Sequence, residues 1–108
     1  MTVQDIRDII MLADESAKHY DATAEIQERK NFTVWMEYEA MPLKADDEEA
    51  EQGWLFEVNR FTKEEYDPMA ERLRAVLANT DGVTINTYRV EYNQQAGYIR
   101  HIFDCRGV

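Results

Sequence analysis

The feature that most restricts the fold is a pair of alternating segments flanking an acidic stretch. From Phe32 to Met41 the chain reads FTVWMEYEAM. In extended backbone, Phe32, Val34, Met36, Tyr38 and Ala40 share one face, and Thr33, Trp35, Glu37 and Glu39 share the other. Beyond the acids, Trp54, Phe56 and Val58 alternate with Leu55, Glu57 and Asn59 up to about Phe61. A period of two in both runs predicts two strands paired as a hairpin. Pro42 has no N–H to give to a ladder, so the first strand is expected to end there and residues 42–52 to form the connection.

That connection contains KADDEEAEQGW, with Asp46, Asp47, Glu48, Glu49 and Glu51 close together. Hard cations bind clustered carboxylates, but a calcium loop spaces its ligands at alternate positions and bends at a glycine. Here the acids are consecutive and no glycine interrupts them, so no metal site is assigned. The stretch is expected to be a solvated loop whose charge matters in an assembly, where repulsion between copies would be relieved by Mg²⁺.

Around this hairpin the periodicity is helical. Ile6, Ile9, Ile10, Ala13, Ala17 and Tyr20 form an apolar stripe that predicts an amphipathic helix over residues 3–20, with Thr2 and Asp5 as its N-terminal cap and acidic partner. Residues 21–30 lack periodicity and are expected to connect, with a short helical turn near Ala24 to Arg29. In YDPMAERLRAVLANTDG, Asp67 caps, Pro68 suits the first helical position, and Tyr66, Met69, Ala70, Leu73, Val76 and Leu77 form the apolar face. Residues 83–92 and 98–105 read as two further strands joined by NQQAG. The predicted order is helix, strand, strand, helix, strand, strand. It describes one α+β domain with a mostly antiparallel sheet covered by two helices on one face.

The chain has 108 residues, enough for a single core. With 22 acids against 12 bases its net charge is −10, which disfavours direct nucleic-acid binding and suits a basic protein surface or divalent cations. Its one cysteine, Cys105, excludes an internal disulfide framework. The N-terminus carries acids early and has no continuous apolar run, so neither a signal peptide nor a membrane span is expected. A soluble protein made in the cytoplasm follows from these features.

No catalytic constellation emerges. His101 and Cys105 share strand parity, but a regular strand separates them by about 13 Å, too far for one metal or a nucleophile–base pair. Cys105 is expected to be a small apolar residue at a strand end. No glycine-rich phosphate loop occurs. Trp35 stands out because it lies between Thr33 and Glu37 on the polar strand face. An exposed tryptophan there is a candidate interface anchor, alongside Asp46, Asp47, Glu48, Glu49 and Glu51.

The element order resembles that of short bacteriophage and prophage tail proteins, the tail terminator or tail completion family. The residues that carry the resemblance are Phe32, Val34, Glu37 and Tyr38 in the first strand, Ala45-Asp46 before the second, Phe61-Thr62-Lys63 at its end, and the closing YRVEYNQQAGYIRHIFDC. The resemblance implies a structural role without active site or cofactor. Copies would form a ring, a hexamer in the implied form, that caps the tail tube and meets the head-connector proteins. Such a protein would occupy the bacterial host cytoplasm during assembly and then the virion tail. The competing expectation is an acidic inhibitor that imitates nucleic acid and binds the basic groove of a DNA- or RNA-binding protein. A mimic would line its carboxylates along one face, whereas five acids here are bunched in one segment.

Overall fold

A computed structural model describes residues 1–43 and 51–108. Helix α1 spans Val3–Ala13 and opens with a capping box: the Asp5 N–H donates to Thr2 Oγ1 at 3.0 Å, and the Thr2 N–H donates to the Asp5 carboxylate at 2.8 Å. The helix stops well before residue 20. Asp14 leaves helical geometry, and its carboxylate accepts from both the N–H and the hydroxyl of Ser16, a local turn that competes with another helical turn. The last part of the predicted stripe instead forms a two-residue strand, β1 (Lys18–His19). A short helix, α2 (Thr23–Gln27), follows.

The predicted hairpin is present as β2 (Phe32–Leu43) and β3 (Glu51–Thr62), antiparallel along their length. Pro42 does not end β2; it pairs opposite Gln52. Glu37 faces Phe56 but Glu39 faces Leu55, so Tyr38 is an extra residue in β2, a bulge that reverses the alternation beyond it. Ala40 thereby leaves the phase set by Phe32. Beyond Trp54, where pairing with the neighbouring strand ceases, β2 and β3 continue as a two-stranded ribbon through Met41–Gly53, Pro42–Gln52 and Leu43–Glu51.

Helix α3 (Pro68–Asn79) begins where the Asp67-Pro68 pair predicts, with the Asp67 side chain accepting from the Met69 N–H. Strands β4 (Val83–Asn93) and β5 (Tyr98–Gly107) complete an α+β domain. The sheet order is β1-β2-β3-β5-β4, with β1 parallel to β2 and every other pair antiparallel. Ile6, Ile10 and Ala13 of α1 and Leu73 and Leu77 of α3 pack on Trp35, Phe56, Val58, Phe103 and Cys105. A smaller cluster of Ala22, Phe32 and Tyr98, joined by Val34 and Phe61, lies on the opposite face of the sheet.

This arrangement corrects the expectation for β2. Trp35 is 1% exposed and belongs to the core beneath the helices, so it is not an exposed anchor. Its polar neighbours face the same way because each has a partner: Thr33 accepts from Arg60, and Glu37 bonds His19. The row that looked like the core side, from Phe32 to Tyr38, lies on the face the two long helices leave open.

Candidate interaction surface

Polar residues on the open face are organised around Arg100. Its guanidinium donates from Nε to Asn59 Oδ1 at 2.9 Å and from Nη2 to Glu57 Oε1 at 3.2 Å, while Asn59 Nδ2 donates to the same Glu57 oxygen at 2.9 Å. Glu91 of β4 approaches Arg100 at 3.6 Å and Arg89 at 3.5 Å. Nearby, the Tyr38 hydroxyl donates to Asp104 Oδ1 at 2.6 Å. That hydrogen bond, with burial and the Asp104 charge, pushes the phenol up to about 12. These contacts link side chains of β2, β3, β5 and β4 on the face that carries Ile102, which is fully buried.

One end of this face is hollowed into a depression of about 730 Å³. Its floor is aromatic: the Phe32 and Phe61 rings stack 4.7 Å apart, and Tyr98 meets both edge-on. The Tyr98 hydroxyl donates to the Lys30 carbonyl at 2.6 Å, fixing the connection after α2 against β5. Glu91 and Arg100, already engaged with each other, stand at the rim together with the β4–β5 turn.

His101 and Cys105 lie on the other face. Cys105 is fully buried, and burial, with the Asp104 charge, pushes its thiol up to about 12, far from a reactive thiolate. His101 Nδ1 bonds the Tyr88 hydroxyl at 2.7 Å, and burial lowers its pKa against the opposing pull of Asp67 and Glu71, favouring a neutral ring. His101 and Cys105 do share the helix side of β5, as their parity predicts, and Cys105 is the buried apolar residue expected. Among the described residues no group of three His, Cys, Asp or Glu side chains converges as a metal site. None of the described helices is long and apolar enough to cross a membrane.

Asp46, Asp47, Glu48 and Glu49 lie outside the described residues, and the backbone of Glu51 opens β3 opposite Leu43. The structure therefore brings Glu51 to the far end of the ribbon and separates it from Trp35, which lies in the body of the sheet. The surface residues that sequence reasoning missed are those of β4. Its helix-side row, Tyr88, Val90 and Tyr92, is 40%, 51% and 63% exposed, although its alternation resembles that of a core strand. The signal that separates edge from centre is strand order, which local sequence does not contain. Comparison with protein-family models finds no match for the chain, and comparison with curated proteins finds none either.

Proposed function

We propose that the chain is a non-catalytic subunit of a phage or prophage tail, of the terminator or completion kind. Its copies form a ring that caps the tail tube and meets the head connector, first in the host cytoplasm and then in the virion. The observation that carries this proposal is the β2–β3 ribbon, which runs past the rest of the sheet and leads directly into the acidic stretch. A projecting ribbon costs conformational order without adding to the core, and an assembly gives it contacts that a lone subunit cannot. The open face weighs against the inhibitor alternative. Two of its carboxylates, Glu57 and Glu91, pair with Arg100, and Glu91 also with Arg89, which interrupts the acidic character of the face.

Light scattering after size exclusion, at high protein concentration with and without Mg²⁺, tests the proposal. A ring-sized mass strengthened by the ion is expected. A variant carrying Asp46→Asn, Asp47→Asn, Glu48→Gln, Glu49→Gln and Glu51→Gln should assemble without needing Mg²⁺. Particles no larger than a dimer under every condition would overturn the ring.

A further inference from the structure

β4 closes one side of the sheet, and among the described residues no strand pairs with its outer edge. This edge is 11 residues long and contains neither proline nor lysine, the usual protections against pairing with another chain. Its only irregularity, between Ile85 and Thr87, lies towards the start of the strand and leaves the following residues regular.

From Thr87 to Asn93 the edge reads TYRVEYN. Turned end for end about Val90, this segment complements itself: tyrosine meets tyrosine, arginine meets glutamate, and threonine meets asparagine. We propose that a second copy of this chain docks antiparallel on the β4 edge, with the twofold axis at Val90, making one continuous sheet across two subunits.

In that register Tyr88 lies opposite Tyr92 of the second copy, and the two Val90 side chains meet on the axis. The exposed helix-side row is thereby covered by its own counterpart. On the open face, Arg89 lies opposite Glu91 of the second copy, and the symmetry repeats the pair. Within one chain the same two side chains are already 3.5 Å apart, so docking extends an existing charge pair into a four-membered alternating group. Other registers fail. A slip of two residues sets Arg89 against Arg89 in one direction and Glu91 against Glu91 in the other. A slip of one places the helix-covered face of one copy beside the open face of its neighbour.

Such an isologous contact closes on itself and yields a discrete dimer. It does not depend on the tail proposal, because it leaves the ribbon and the acidic stretch untouched.

The decisive experiment is sedimentation equilibrium of the full chain, of Val90→Lys, of Val90→Glu, and of an equimolar mixture of the two variants. A residue on the axis always meets its own copy, so each charged variant should weaken the dimer at least about tenfold, and the mixture should restore it as a heterodimer. Val90 is half exposed, and circular dichroism checks that each variant folds. Arg89→Glu alone, and Arg89→Glu combined with Glu91→Arg, provide the same loss and recovery without altering Val90. A wild-type chain that stays monomeric at about 1 mM would overturn the proposal. So would a dimer indifferent to Val90→Lys, or two weakened variants whose mixture fails to recover.

Discussion

Arg60 and Asp67 meet inside the protein, with Nε 2.8 Å from Oδ2 and both side chains almost fully buried. The contact ties the middle of the sheet to the N-cap of α3. Arg60 also donates to Thr33 Oγ1 at 3.3 Å and lies 3.7 Å from Asp14 Oδ2 at the end of α1, so a single guanidinium joins both covering helices to the sheet.

Removing Asp67 takes away the closest carboxylate of the buried Arg60 and leaves it only the longer contact with Asp14. Asp67→Ala should destabilise the fold by about 3–5 kcal/mol, measured by urea unfolding, because it also removes the helix cap. A loss comparable to that of an exposed ion pair, under about 1 kcal/mol, would show that Arg60 finds solvent instead.

Asp14 gives the same group a dependence on acid. Burial raises its pKa, but the Ser16 hydrogen bonds, the neighbouring Thr33 hydroxyl and the Arg60 charge outweigh that effect, and the net direction is downward. A carboxyl with a depressed folded pKa contributes stability above its unfolded value, near about 3.9, and loses it as pH falls through the folded value. Unfolding free energy of the wild type should therefore decline below about pH 4 more steeply than that of Asp14→Asn.

Trp35 is stacked beneath the His19 ring, with centroids 4.0 Å apart, and its fluorescence should resist acrylamide. Trp35→Phe should remove the protected component and leave the signal of the half-buried Trp54. Trp35→Ala should cost about 3–5 kcal/mol in thermal or urea unfolding, the range for deleting a large core aromatic.

Cys105 offers a chemical probe of unfolding. With its thiol fully buried and its pKa pushed up to about 12, labelling by iodoacetamide at neutral pH should proceed only through opened molecules. Its rate should rise in parallel with destabilisation in Asp67→Ala. Rapid labelling of the intact wild type would contradict the packing of β5 against the helices.

Where local chemistry decides, the sequence was sufficient. Thr2 with Asp5, and Asp67 with Pro68, place two helix starts because each cap is made by neighbours. The apolar stripe overruns the end of α1 because it does not register the turn that Asp14 and Ser16 form. The polar neighbours of Trp35 hide its place in the core for a long-range reason. Glu37 marks a surface only if it lacks a partner, and its partner, His19, lies 18 positions away. The edge position of β4 follows from β5 inserting between β3 and β4, a choice of partners that no window along the chain records. The candidate surface was therefore less legible than the fold.

Tyr38 shifts the register of β2 by one surplus residue, yet the residues on either side of it have defined mates across the hairpin. Deleting Tyr38 would leave those partnerships available while changing the course of β2 between Glu37 and Glu39. Geometry and pairing are thus separable in this chain: one position sets the phase of β2 beyond Glu37, and its neighbours keep their partners either way.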